Sequence, residues 1–99
     1  MTRGELWRYQ PKGLPRPPRV VLIVSADGIN ASNRRWVYGL HIIDHDPEDI
    51  LAVRLAGDRW INGTSLMRLW RGWFTEQVGT IDADTQDAVD AMLRGALDL

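Results

Sequence analysis

Up to Leu69, this 99-residue chain is divided into short apolar segments of strand length, and turn residues separate each segment from the next. Residues 19–25 (RVVLIVS) form the clearest segment, because a continuous β-branched run is typical of a strand buried on both faces. Residues 10–18 hold four of the five prolines and predict an extended loop, since proline cannot donate to a sheet. Four further strands are predicted, at residues 4–9, 36–43, 50–55 and 64–69.

The end of the chain follows a helical period instead. Asp82 is the predicted N-cap, and apolar residues then recur at three- and four-residue steps through residues 83–97. Five antiparallel strands followed by one amphipathic helix predict a mainly β fold, a small twisted SH3-like barrel with a C-terminal helix. The length is that of one domain, so residues 1–99 are expected to fold as a single unit.

Composition excludes several classes of function. The absence of cysteine excludes disulfides, thiolate catalysis and zinc ribbons. No apolar run approaches the roughly 20 residues of a membrane span, so we predict a soluble, cytoplasmic protein. His41 and His45 lie beside two aspartates, but a four-residue spacing brings two imidazoles together only on a helix, and here a strand end and a turn are predicted. We therefore expect no metal and no cofactor.

Positive and negative charges are separated along the chain, although the net charge is only −1. Residues 1–40 carry seven basic and two acidic side chains, whereas residues 41–99 carry five arginines and eleven acidic side chains. Eleven of the twelve cations are arginine, whose planar guanidinium binds phosphate in a bidentate geometry. A GC-rich genome also favours arginine, but codon usage does not explain the separation of sign. The pattern favours a basic surface for a polyanion.

Tryptophan and arginine alternate in the second half of the chain, at Arg59, Trp60, Arg68, Trp70, Arg71 and Trp73. Such interleaving suits a surface that stacks unpaired bases and binds phosphate, which makes Trp70 a candidate RNA-binding residue. Tryptophan is equally typical of an interface with an identical subunit or another protein. Both interpretations are open at the level of sequence.

Three segments carry a family resemblance. The chain opens with Arg3-Gly4-Glu5-Leu6-Trp7, residues 19–25 follow the proline-rich loop with Asn30 after them, and residues 78–85 lead into the predicted helix. These segments are similar to the "RGEIW" opening, the "RPVLVVS" strand and the capped C-terminal helix of the MazF/PemK family, the ribonuclease halves of bacterial toxin–antitoxin pairs. The resemblance extends over the whole chain and implies the barrel-like fold that this family shares with the gyrase poison CcdB.

The resemblance implies a homodimeric toxin that cleaves single-stranded RNA without a metal ion, arrests growth and is neutralised by a cognate antitoxin. In that reaction a ribose 2′-hydroxyl attacks its own phosphodiester, which requires a base, cations around the phosphorane and an acid for the 5′-oxygen. By position in the matching motifs, the resemblance implies Arg19 as the leading catalytic residue, with Glu5 and Arg68 as further ones. Lys12 and Arg16 of the proline-rich loop suit phosphate contact, so they are expected to bind RNA.

The sequence departs from the family pattern at the end of the third strand. The family has a hydroxyl pair there ("P-x-T-S"), whereas this chain has Leu40-His41-Ile42-Ile43-Asp44. Depending on one gap, the threonine position falls on His41 or on Ile42. A histidine would serve as general acid or base, with Asp44 as an orienting carboxylate within the RNA-binding site, whereas an isoleucine would leave the phosphate uncontacted. Trp70 stands where PemK-type members carry an aspartate.

Two other functions are open from the sequence. One is poisoning of gyrase, but the CcdB action resembles use of a Trp-Gly-Ile tail, and this chain ends Leu97-Asp98-Leu99. The other is a non-catalytic protein of the toxin fold that binds an antitoxin or nucleic acid without cleavage. The missing hydroxyl pair favours this last possibility.

Overall fold

The computed structural model describes residues 1–98, which form seven strands, two helices and two short 3₁₀ turns. The elements run in chain order as β1 (Glu5–Tyr9), β2 (Arg19–Ile23), α1 (Asp27–Asn30), β3 (Trp36–Ile43), β4 (Ala52–Leu55), β5 (Arg59–Asn62), β6 (Met67–Trp70), β7 (Phe74–Thr80) and α2 (Ala83–Leu97). The 3₁₀ turns Gly63–Ser65 and Arg71–Trp73 lie on either side of β6. The predicted mainly β fold with a C-terminal helix is confirmed.

The strands form one antiparallel sheet in the order β4-β5-β3-β2-β1-β7, and β6 also pairs with β3. The eight-residue strand β3 is the hub, because it pairs with three strands along its length. Its first half lies against β6, its middle against β2, and its end (Ile42 and Ile43) against β5. The end of β3 is therefore brought beside the start of β2 and the β5 hairpin.

Apolar side chains cover both faces of the sheet at β2, as the sequence predicts for a central strand. Leu22 belongs to one buried cluster, which α2 completes with Val89 and Met92. Val21 and Ile23 alternate to the other face and belong to a second cluster around Tyr9, Val37 and Leu69. The helix occupies the predicted residues, and the Asp82 side chain caps it by accepting from the Thr85 amide at 2.7 Å.

The prediction of five strands was wrong, since β5 and β7 were missed. β7 pairs only with β1, and its middle residues are exposed, so it lacks the apolar alternation that marks a half-buried strand. The predicted strand at 64–69 begins as a 3₁₀ turn, and its pairing starts at Met67. The short helix α1 at Asp27–Asn30 follows β2 directly. No helix in the described part of the chain is long and apolar enough to cross a membrane.

Glycine 39 allows β2 and β6 to approach β3 closely, and this gives a stability prediction. A Cβ at Gly39 would lie 2.5 Å from Leu69 Cδ1 and 2.7 Å from the backbone oxygen of Leu22. We expect Gly39→Ala to lower the free energy of unfolding by about 1–3 kcal/mol, as overpacking does. At Gly95 in α2 a Cβ would meet nothing within 4 Å. Because alanine favours a helix more than glycine does, Gly95→Ala is expected to raise the free energy of unfolding by about 0.5–1 kcal/mol. Urea unfolding measures the free energy of unfolding of both variants. If Gly39→Ala were stabilised as Gly95→Ala is, the close packing at β3 would be contradicted.

Candidate active site

An open cleft of about 520 Å³ lies where the start of β2, the end of β3 and the β5 hairpin meet. We call it the Arg19–His41 cleft. Its lining consists of Pro18, Arg19, Val20, His41, Ile42, Ile43, Asp44, His45, Arg59, Asn62 and Ser65. Three of the residues expected at the site, Arg19, His41 and Asp44, therefore line one cleft.

Strand register places Arg19 and His41 on the same face of the sheet. Val21 of β2 lies directly opposite His41 of β3, so the two side chains point to the same side. Arg19 lies two residues before Val21 and points to that side as well. The two are diagonal neighbours, with Cβ atoms roughly 7 Å apart. A guanidinium and an imidazole thus face a common space within reach of one phosphodiester.

The surroundings of His41 favour its neutral form. The side chain is half-buried, and this burial lowers the pKa of His41; the positive charge of Arg19 lowers it further. The ordinary pKa of a histidine lies near 6.5, so the neutral form of the His41 imidazole predominates at neutral pH. The backbone amide of His41 donates to Ser65 Oγ at 3.0 Å, and Ser65 Oγ donates to the Asn62 carbonyl at 2.7 Å. These bonds fix the backbone at His41 to the 3₁₀ turn.

Sequence reasoning missed Arg59, Asn62 and Ser65 as members of the cleft. Arg59 adds a second guanidinium, and Ser65 brings a hydroxyl to a site where the end of β3 has none. The available signals were the Asn62-Gly63 turn and the alternation of arginine with tryptophan. Neither signal specifies that β5 pairs with Ile42 and Ile43, and this pairing is what brings these residues to the end of β3.

Asp44 lines the cleft without contacting the His41 ring. Its carboxylate lies 3.2 Å from Nδ1 of His45, and both of these side chains are mostly exposed. The expected role as an orienting carboxylate for His41 therefore has no hydrogen bond to support it among residues 1–98. In the same part of the chain, no group of three or more histidine, aspartate or glutamate side chains is arranged to hold a metal ion.

Glu5 lies at the far end of β1 from this cleft. Tyr9 pairs with Arg19, whereas Glu5 pairs with Thr80, which separates Glu5 from the cleft by roughly 13 Å of strand. Its carboxylate accepts from the Thr2 amide (3.0 Å), the Thr2 hydroxyl (2.8 Å) and the Trp7 indole (2.9 Å). Partial burial alone would raise the pKa of Glu5, but the bonds from Trp7 and Thr2 and the N-terminal charge together lower it. Glu5 holds the N-terminus against β1 and does not join Arg19.

Arg68 also lies apart from Arg19 and His41. It is directly opposite Tyr38 on β3, and Tyr38 is three residues from His41, so the two side chains of β3 point to opposite faces. The Arg68 guanidinium lies 4.7 Å from the centre of the Trp36 ring, which in turn stacks on Trp70 at 3.9 Å. Arg68, which the resemblance implies as a further catalytic residue, is therefore not brought to the cleft that holds Arg19 and His41.

The remaining RNA-binding candidates lie outside the cleft. Lys12 and Trp70 line a shallow cleft of about 350 Å³ beside the Arg71–Trp73 turn. Arg16 is exposed in the proline-rich loop. The predicted site residues are thus dispersed. Arg19, His41 and Asp44 line the Arg19–His41 cleft, Lys12, Arg68 and Trp70 lie at a second surface around β6, and Glu5 and Arg16 lie at neither.

The architecture defines a class of small antiparallel proteins in which one C-terminal helix completes the core. It is similar to an endoribonuclease from a mycobacterial species in complex with its cognate antitoxin, with a TM-score of 0.87 over 100% of this chain and 96% of that one, at 18% identity. A second mycobacterial endoribonuclease matches with a TM-score of 0.84 over 100% and 92%, at 17% identity. No protein-family profile and no curated protein matches the sequence. At these identities the likeness establishes the fold, and the function has to be derived from the site.

Proposed function

We propose that this protein is an endoribonuclease of the toxin type, which cleaves single-stranded RNA in the Arg19–His41 cleft. The observation that carries the proposal is the placement of Arg19 beside a half-buried imidazole on one face of the sheet, in an open cleft that also holds Arg59. The structural likeness to two mycobacterial endoribonucleases and the family resemblance of the sequence support the same assignment.

The proposed reaction is transfer of the phosphodiester to the adjacent 2′-oxygen. His41 accepts the 2′-hydroxyl proton as the bond from that oxygen to phosphorus forms, which its lowered pKa and neutral state allow. Arg19 and Arg59 stabilise the negative charge of the phosphorane, because guanidinium stays charged and spans two phosphoryl oxygens. The bond from phosphorus to the 5′-oxygen breaks, and that oxygen takes a proton from water in the open cleft. The products are a 2′,3′-cyclic phosphate and a 5′-hydroxyl end.

The proposal extends to the partners of the protein. An antitoxin is proposed as its binding partner, because one structural neighbour is described in complex with its cognate antitoxin. On the strength of the MazF/PemK resemblance, we also propose that the protein is a homodimer, and that it acts in the cytoplasm and arrests growth by cutting RNA. An acidic antitoxin segment matches the surplus of arginine on the first forty residues.

Incubation of the purified protein with a long RNA in the presence of EDTA tests the proposal. We expect fragments with 2′,3′-cyclic phosphate ends, and EDTA should leave the rate unchanged because no step of the proposed mechanism uses a metal ion. Intact RNA together with inhibited gyrase would support the CcdB-like alternative instead. Intact RNA with unaffected gyrase would refute both activities and support a non-catalytic protein of this fold.

A further inference from the structure

A second basic surface lies around β6, on the opposite face of the sheet from His41. This surface consists of arginine and aromatic side chains that are exposed or partly exposed, and we call it the aromatic–arginine face. Its members are Arg34, Arg35, Trp36, Tyr38, Arg68 and Trp70. Two shallow clefts of about 350 and 550 Å³ open onto it. Within the described residues, no acidic side chain lines either cleft. The face is therefore complementary to a polyanion.

A stacked group of side chains forms the centre of this face. The Trp36 and Trp70 rings lie 3.9 Å apart with an angle of 23° between their planes, and the Arg68 guanidinium lies over the Trp36 ring. Tyr38 is directly opposite Arg68 in the β3–β6 register, and 41% of the residue is exposed. Opposite residues have Cβ atoms about 5 Å apart, so Tyr38 and Arg68 form a continuous exposed platform.

The two other arginines of the face project from a loop that is held rigidly. The Arg71 guanidinium donates to the carbonyls of Arg34 (2.8 Å), Asn30 (2.8 Å) and Ile29 (3.1 Å). The Arg71 amide also donates to the Arg35 carbonyl at 2.8 Å. No hydrogen bond or ion pair among residues 1–98 involves the side chains of Arg34 or Arg35. The fold thus presents two unpaired cations at a fixed position beside the platform.

We infer that the aromatic–arginine face binds a stretch of single-stranded RNA outside the cleavage cleft. A base stacks on Tyr38 and Arg68, because unpaired bases stack on aromatic rings and on guanidinium planes. Adjacent phosphates contact Arg34 and Arg35. Aromatic residues and arginine are also typical of protein interfaces, so what favours RNA over a protein partner is the surplus of cations with no acidic side chain lining either cleft among the described residues. The identification of the ligand as RNA rests on the proposed function.

The position of the face suits a substrate that also enters the cleft. Both sites lie on β3, with Tyr38 three residues from His41, which is roughly 10 Å along the strand. Because β3 is paired with β2 along one edge and with β5 and β6 along the other, an RNA strand that occupies both sites has to pass around the edge of the sheet and is longer than this separation. The face would then anchor part of the substrate while the cleft holds the scissile phosphate.

A 2′-O-methyl oligonucleotide tests the stacking part of the inference, because it lacks the attacking hydroxyl and cannot be cleaved. We expect Tyr38→Ala to weaken its binding by roughly five- to one-hundred-fold, the effect of losing one stacked base. Tyr38→Phe keeps the ring and is expected to bind like the natural protein. Arg68→Lys keeps the charge but lacks the plane, and it is expected to weaken binding as well.

The phosphate contacts are tested with paired charge variants. We expect the Arg34→Gln/Arg35→Gln variant to bind more weakly and to lower the slope of log affinity against log salt by about 1.4, the value for two phosphate contacts on a single strand. The Arg3→Gln/Arg94→Gln variant removes the same charge near α2 and is expected to keep the slope of the natural protein. Thermal unfolding of each variant confirms that it is folded.

The outcomes separate this inference from the proposed function. Unchanged oligonucleotide affinity in folded Tyr38→Ala and Arg34→Gln/Arg35→Gln variants would overturn the inference, even if Arg19→Ala abolishes cleavage. A change of oligomeric state in Tyr38→Ala with unchanged affinity would also overturn it and assign the face to a protein interface. Weakened binding in these variants, with cleavage unaffected by Arg19→Ala, would support the face and refute only the cleavage assignment.

Discussion

Arg19→Ala is expected to lower the rate of RNA cleavage by at least about 100-fold while the protein stays folded. The substitution removes the guanidinium whose positive charge acts on His41, and loss of one stabilising group of this kind costs about two to three orders of magnitude in rate. Arg19 is exposed at the first residue of β2, so its truncation leaves the core intact. Initial rates on a labelled RNA in EDTA, together with the Tm of the variant, measure the effect.

Arg16→Ala is the matched control for this prediction. Arg16 lies three residues earlier in the proline-rich loop, carries the same charge and is exposed outside the cleft. We expect the rate of this variant to change by only about a few-fold, since Arg16 lies outside the cleft and is proposed to contact RNA away from the reacting phosphate. An Arg19→Ala protein that cleaves as fast as Arg16→Ala would remove Arg19 from the mechanism.

His41→Ala is expected to lower the rate by about 100- to 10,000-fold, the usual contribution of a general base. The reaction needs the neutral imidazole, and burial together with the charge of Arg19 lowers the pKa of His41 below its ordinary value of about 6.5. The rate of the natural protein should therefore fall at acidic pH as the imidazole becomes protonated, and the midpoint of this decrease should lie below 6.5. A pH–rate profile measures this acidic limb.

His45→Ala provides the control, because His45 lines the same cleft but its side chain is mostly exposed beside Asp44. We expect its rate and its acidic limb to match those of the natural protein. Two results speak against His41 as the base: an acidic limb centred above 6.5, or a His41→Ala protein as active as His45→Ala.

The parts of the fold that depend on local pattern were predicted from the sequence. The β-branched run at β2 and the period and N-cap of α2 specify their elements directly, because both are strong local signals. β7 carries no such signal, since it is an edge strand with mostly exposed residues. It is held by pairing with β1, which is a long-range contact.

The candidate site was predicted in part, because register decides which side chains meet. Arg19 and His41 share a face through the pairing of Val21 with His41. Arg68 reaches the other face because it pairs with Tyr38, and a shift of one residue in β6 would have turned it toward His41. Sequence patterns do not specify this register.

The charge separation along the chain was also only partly informative. The two halves neutralise each other where the fold brings them together, through Arg3 with Asp90 and Arg8 with Glu76. The basic side chains of the first half that stay without an acidic partner among residues 1–98 include Arg19, Arg34 and Arg35. These three lie on the two surfaces to which we assign RNA.

The central claim is that Arg19 and His41 act together on one anion, and NMR titration of the His41 imidazole tests it most directly. In Arg19→Gln, the pKa of His41 is expected to rise toward its ordinary value without reaching it, because the positive neighbour is lost while burial remains. Arg16→Gln removes an equal charge outside the cleft and is expected to leave the pKa of His41 unchanged. The same pKa of His41 in the natural protein and in Arg19→Gln would contradict the claim that the two residues form one site.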